Sequence, residues 1–204
     1  GHNSAAKAIC EALTAIGAEY EFKDPVSFRG EETPKKIASM YNNLIKKAPA
    51  AFGMVYKIGD AYDRSLLPSP VYAWNASYAD KLADYIKNQG FDAVITTHLY
   101  GMLALTAAKK NGDIYVPIFG VGTDYTMIPF TRNAVMDEFF VPHKDLLGFY
   151  TEKGVKENTL NPTGIPVSPK VSAAPEKRVA REILGLPQDK KIVLLMSGGV
   201  GCES

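Results

Sequence analysis

"FDAVITTHLYGMLALTAAKKNGDIYVPIFGVGTD", residues 91–124, holds the pattern that decides the fold. Residues 91–98 form an apolar run after Gly90 and predict a buried strand. "LYGMLALTAAKKNG" predicts a helix ending at Gly112, and "IYVPIFGVGTD" (114–124) predicts the next strand. A strand, a helix and a strand in succession make the crossover unit that joins parallel strands. Strands that read as continuous apolar runs are covered on both faces, as in a doubly wound sheet. Ligands of such sheets sit at the carboxyl ends of the strands, where His98, Asp124 and His143 fall, and His2 too if a strand precedes it.

Outward from that unit the alternation continues. "EFFVPH" (138–143) predicts a further short strand ending near His143, itself a surface loop residue beside Asp145. Upstream, residues 77–88 predict an amphipathic helix, and residues 33–47 another with Thr33 as cap and Pro34 in its first position. "AEYEFKDP" (18–25) reads as a short strand that Pro25 ends. Residues 4–16 place Ala5, Ala8, Ile9, Leu13 and Ile16 at helical spacing, with Asn3 or Ser4 as cap and Gly17 beyond the end. Residues 150–174 read as an exit loop and linker, 175–186 as a helix, and Ile192–Met196 as a new strand leading into "SGGVG". The expectation is an α/β protein: a Rossmann-like parallel sheet with helices on both faces over residues 1–165, and the opening elements of a second domain over 166–204. Both ends read as cuts within strand–loop–helix units, so the first strand of the first domain is expected to be missing.

Composition narrows the function classes. The 204 residues are 46% hydrophobic and 22% charged, ordinary for a globular chain with one sizeable core. A formal net charge of +1 lacks the basic excess of a nucleic-acid binder. Cys10 and Cys202 form neither a disulfide framework nor a metal-ligand spacing, and no apolar run reaches the roughly 20 residues that cross a bilayer.

Several residues carry chemical potential, each beside a plainer reading. In "SGGVG", Ser197, Gly198, Gly199 and Gly201 offer backbone N–H groups of the kind that cradle phosphate, or form only a tight turn with close packing. The pattern is not GxxxxGK[ST]. His2, at a helix N-terminus, suits a neutral imidazole acting as general base toward a hydroxyl; the competing reading of Gly1-His2 is a cloning scar. His98 and Asp124 read as ligand contacts or as caps of the following turns. The stretch 36–59 mixes lysines, among them Lys46 and Lys47, with apolar residues such as Phe52, and fits a membrane surface or a solvated helix face. "TMIPF" sets Pro129 and Phe130 in an apolar loop, suited to a ligand pocket or a domain contact.

Taken in order, the motifs resemble the monogalactosyldiacylglycerol synthase and processive diacylglycerol glucosyltransferase family, a branch of the MurG-like glycosyltransferases. "GHNSAAKAI" is similar to its first Gly-rich loop and helix, and "YNNLIKKAPAAFGMVYKIGD" to its Tyr…Lys-x-x-Pro…Gly…Tyr segment. "FDAVITTHLYGMLAL" resembles its strand ending in Thr-His, and "VPIFGVGTDYTMIPF" with "DEFFVPHKDL" its Thr-Asp-aromatic strand and later Val-Pro. "GIPVSP" resembles the interdomain linker, and "KKIVLLMSGGVG" the first strand and loop of the donor domain. Because "NSAAKAI" continues the motif in register, the resemblance sets His2 inside it rather than in a scar.

The resemblance implies a GT-B fold, two Rossmann-like domains facing across a cleft, of which this chain is the N-terminal, acceptor-side one. It implies inverting transfer of a hexose from a UDP-sugar to the hydroxyl of diacylglycerol, with no metal or other cofactor. The setting it implies is the cytoplasmic leaflet of a bacterial membrane, with the protein held peripherally on anionic lipid. His2 would be the base, and Thr97, His98, Asp124, Pro129 and Phe130 would line the acceptor side. Ser197, Gly198, Gly199 and Gly201 would face the donor pyrophosphate, and Lys46, Lys47 and Phe52 the membrane. Family members often place a His and a Trp after the Thr-Asp pair, where this chain has "TMIPFT" and Phe130 as the replacement aromatic. The groups that would read the uracil and the sugar lie past Ser204, so residues 1–204 alone are expected to be inactive. Other readings are a MurG-like N-acetylglucosaminyl transferase, a UDP-sugar epimerase, or a non-catalytic lipid-binding module.

Overall fold

The structure, a computed structural model, describes residues 1–47, 54, 59, 62 and 69–195. Its centre is a four-stranded parallel sheet in the order β1-β2-β3-β4: β1 (Val94–Thr96), β2 (Ile118–Val121), β3 (Glu138–Val141) and β4 (Leu160–Pro162). The helices, in chain order, are α1 (His2–Ala15), α2 (Thr33–Lys47), α3 (Pro70–Ala76), α4 (Ala79–Gln89), α5 (Leu99–Lys110), α6 (Leu147–Glu152), α7 (Pro169–Ser172) and α8 (Lys177–Ile183), with α4 and α5 packed on the sheet. The α/β parallel architecture read from residues 91–124 is therefore present.

The ladder register puts Thr96, Gly120 and Phe139 in one row, and Ile95, Phe119 and Glu138 in the next. Successive side chains alternate between faces, so Val94, Ile118, Phe139, Val141 and Leu160 share one face. That face belongs to the main core, with Ala79, Leu82, Ala83 and Ile86 of α4 and Leu103 and Ala107 of α5. Phe139 is 1% exposed and Ile118 and Val141 are fully covered. Burying a side chain of this size stabilises by about 1.5–3 kcal/mol, which makes this face the main source of fold stability. The opposite face carries Phe119 and Phe140, ring centroids 6.3 Å apart, and it is more open at the β1 edge, where Ile95 is 41% exposed.

Polar groups lock the helix-to-sheet geometry. Thr106, buried in mid-helix, donates to Met102 O (2.7 Å) and accepts from Val135 N (2.9 Å), which ties α5 to the loop before β3. Asp137 accepts the Ile118 N–H at 2.7 Å and pairs with Lys109.

Four expectations need correction. α1 begins at His2 with Gly1 in the cap position and no side-chain cap, so neither Asn3 nor Ser4 caps it and His2 lies inside the first turn. Residues 18–25 join no strand among the described residues; Asp24 instead accepts the Val26 N–H at 2.9 Å and starts a 3₁₀ turn, Pro25–Arg29. The aromatic alternation there has β propensity but joins neither edge of the sheet, and Tyr20 and Phe22 stay about half exposed. The supposed linker contains α6 and β4, a short edge strand whose Asn161 and Pro162 hide it from a propensity reading. Ile192–Leu195 form no strand among the described residues, since nothing there offers them a ladder; Met196 to Ser204 lie outside the described residues.

Candidate functional site

The carboxyl ends of β1 and β2 meet the N-terminus of α1. His2, which opens α1, reaches Thr97 just beyond β1: its Nδ1 lies 2.8 Å from the Thr97 carbonyl oxygen, and Thr97 Oγ1 donates back to the His2 carbonyl at 3.1 Å. Nδ1 also lies 2.7 Å from Thr123 Oγ1, two residues past β2. A carbonyl only accepts, so in the neutral ring the proton sits on Nδ1 and is shared between Thr97 O and Thr123 Oγ1. Nε2 is left with its lone pair. That is the tautomer a general base needs, set by a backbone acceptor on the opposite nitrogen.

His98 lies against it, ring centroids 4.5 Å apart and edge to face. It caps α5, accepting the Tyr100 N–H on Nδ1 at 3.1 Å. Its neutral form therefore carries the proton on Nε2, the opposite tautomer to His2. Burial, and then the neighbouring His2, push its pKa down to about 4. His98 is neutral across physiological pH and adds no charge beside His2.

Beneath this pair lies a cavity of about 20 Å³, whose wall includes His2, Thr97, Thr123, Asp124, Ile128 and Tyr150. Asp124 is exposed at its rim. Burial, with the Asp124 charge in second place, pushes the Tyr150 phenol up to about 12. The loop after β2 passes close above that phenol: a Cβ on Gly122 would lie 2.9 Å from its oxygen.

Four of the expected site residues thus come together: His2, Thr97, His98 and Asp124. Pro129 and Phe130 stand one step away, since Ile128 and Thr131 line the cavity while these two face Gly59 and Tyr62. A Cβ on Gly59 would lie 2.9 Å from Pro129 Cβ, so this approach requires glycine. Phe130 holds φ at 71°, a backbone state that costs a bulky L-residue energy and that neighbouring packing must enforce. Lys47 is exposed at the end of α2; Lys46 belongs to that helix, but its side chain lies outside the described residues, as do Phe52, Ser197, Gly198, Gly199 and Gly201. Among the described residues no group of three or more His, Cys, Asp or Glu side chains could hold a metal, and no helix is long and apolar enough to cross a membrane. Thr123 and Tyr150 escape the sequence reading. Thr123 has a signal, standing directly before Asp124 at a strand end, whereas nothing in "LLGFYTEKG" marks Tyr150.

The family model for monogalactosyldiacylglycerol (MGDG) synthase matches residues 2–167. Proteins named processive diacylglycerol beta-glucosyltransferase from Bacillus cytotoxicus, Bacillus cereus and Bacillus mycoides are each 24% identical over 147 residues, 72% of this chain and 36% of theirs. The chain spans about a third of the length of these curated relatives. No solved structure matches. A Rossmann-like parallel sheet, a histidine at its carboxyl edge and a match over most of the length agree: this chain belongs to the monogalactosyldiacylglycerol synthase family, a group of GT-B glycosyltransferases related to glycolipid-forming enzymes.

Proposed function

We propose that this chain is the acceptor side of an inverting glycosyltransferase that moves a hexose from a UDP-sugar to the hydroxyl of diacylglycerol. The observation that carries the reading is the His2 ring, whose Nδ1–H is bound to Thr97 O and whose Nε2 has no hydrogen-bond partner among the described residues. His2 Nε2 takes the acceptor proton as the acceptor oxygen attacks the anomeric carbon. The bond from that carbon to the UDP oxygen breaks, and UDP leaves with the electron pair. Thr97, His98 and Asp124 bound the acceptor hydroxyl, and Pro129 and Phe130 shape the loop behind them. The division at residues 165 and 166, with the glycine loop at 197–201 facing the donor pyrophosphate, belongs to the same proposal.

The membrane enters through α2. Ile37, Met40 and Leu44 stand at i, i+3 and i+7, on one face; Met40 is 67% exposed and the other two are half-buried. Exposed Lys36 and Lys47 flank that face. An apolar stripe edged by lysines suits peripheral attachment to an anionic bilayer, here the cytoplasmic leaflet.

The test uses the full-length protein, diacylglycerol vesicles and a mixture of UDP-sugars, with lipids read by mass spectrometry. One added hexose, falling about 10²–10⁴-fold in His2→Ala, is the expected result. UDP-sugar consumed without lipid product would replace the reading with the epimerase or another acceptor. Lipid binding without turnover, indifferent to His2→Ala, would leave a binding module.

A further inference from the structure

Tyr150, in α6, is 3% exposed, its ring edge-on to Phe139 at 5.4 Å. Its hydroxyl presses under the Gly122–Thr123 loop and borders the cavity that His2 shares. Among the described residues that hydroxyl makes no hydrogen bond, and its oxygen is not sealed off but keeps surface open toward the cavity. A phenol that opens onto a small cavity with polar walls is satisfied there by ordered water. The cavity, about 20 Å³, has room for one water and several polar groups to hold it. Thr123 points the same way. Its oxygen accepts from His2 Nδ1–H, so its own hydrogen must turn away from His2.

We propose that Tyr150 is a positioning residue for His2, acting through one water held between the Tyr150 phenol and the Thr123 hydroxyl. The water accepts from both hydroxyls and donates to an oxygen on the cavity wall, with Asp124 at the rim. This fixes the Thr123 rotor, aims its lone pair at His2 Nδ1 and holds Nε2 clear for the acceptor. Sequence gives no hint of the link, since Tyr150 and Thr123 sit on different elements that only the fold brings together. The inference rests on the reading of His2 as the base.

The test is Tyr150→Phe in the full-length protein, which keeps the ring against Phe139 and removes only the oxygen. A high-resolution structure of the unaltered protein is expected to show one water within hydrogen-bond distance of Tyr150 Oη and Thr123 Oγ1, absent in Tyr150→Phe. The ¹⁵N spectrum of His2 is expected to move from the Nδ1–H form toward a tautomer mixture. Transfer is expected to fall about five- to tenfold in kcat with KM unchanged, as for loss of one neutral hydrogen bond. Thr123→Val removes the other end and is expected to act alike, while Thr123→Ser keeps water and tautomer. A dry cavity in the unaltered protein, or Tyr150→Phe with tautomer and kcat unmoved, overturns the proposal. If the unaltered protein transfers no sugar, the functional reading fails by itself, and the water and the tautomer still decide this one.

Discussion

His2 and Thr97, 95 residues apart in the chain, exchange two hydrogen bonds: the imidazole Nδ1–H to the Thr97 carbonyl at 2.8 Å, and the Thr97 hydroxyl to the His2 carbonyl at 3.1 Å. The first holds the tautomer together with the Thr123 oxygen and belongs to the backbone, so no side-chain substitution at residue 97 abolishes it. The second only anchors the start of α1. Thr97→Val is therefore expected to cost about 1 kcal/mol of stability and a few-fold in transfer rate, while ¹⁵N spectra still show His2 protonated on Nδ1. A mixed His2 tautomer in the Thr97→Val protein would place the control in the hydroxyl instead.

His98 gives the fold an acid-sensitive step. Its pKa is about 4 folded against 6.5 as the unperturbed value, with burial the first cause and His2 the second. Between those values the unfolded chain binds a proton that the native state refuses, so stability falls as pH drops through that window and levels off below it. The limiting slope is about 1.4 kcal/mol per pH unit, giving a loss on the order of 3 kcal/mol. Asp137 acts lower on the scale: burial raises its pKa, but Lys109 and the Ile118 N–H outweigh that and hold it below 3.8, so its contribution is lost only below that value. His98→Asn keeps an oxygen to cap α5 and cannot titrate. Urea unfolding from pH 7 to 4.5 is expected to show a flatter profile in His98→Asn; an unchanged slope would assign the acid loss to other groups.

The sheet is legible because residues 91–124 carry two continuous apolar strands around a helix, a pattern few other folds produce. β4 is not, because a short edge strand ending in Pro162 has little apolar signal, and its pairing with β3 is a tertiary fact. His98 illustrates a choice that sequence leaves open: the structure shows the cap, through Nδ1, with the same ring set against His2. Asn3 and Ser4 are good caps and draw the expected helix start past His2, yet the helix begins at His2, where Thr97 and Thr123 grip its ring. Tyr150 cannot be found from its own neighbourhood, since its meaning comes from the space under Gly122.

That space yields a reciprocal test. A Cβ at Gly122 would lie 2.9 Å from the Tyr150 oxygen and 3.2 Å from Pro142 Cδ. Gly122→Ala is expected to lose about 1–3 kcal/mol through overpacking, since the Tyr150 ring is held edge-on against Phe139. Removing the oxygen with Tyr150→Phe relieves the closer of the two contacts. The double variant is then expected to be more stable than the sum of the single changes, by about 1 kcal/mol in denaturant unfolding. Strict additivity would mean that the loop moves off the phenol altogether.

α2 allows charge and apolar contact to be separated at the membrane. Lys36 and Lys47 flank the stripe of Ile37, Met40 and Leu44, whereas Lys35 already pairs with Glu32 at 3.2 Å. Each such lysine near anionic lipid contributes about 1 kcal/mol, so Lys36→Gln with Lys47→Gln is expected to weaken binding to anionic vesicles roughly 30-fold at low salt. The deficit should shrink as added salt shortens the screening length. Met40→Ser removes apolar contact instead, and its deficit should persist at high salt and on zwitterionic vesicles. Co-sedimentation over a salt series distinguishes the two, and binding unmoved by either change would take α2 off the bilayer and leave its stripe to a protein surface.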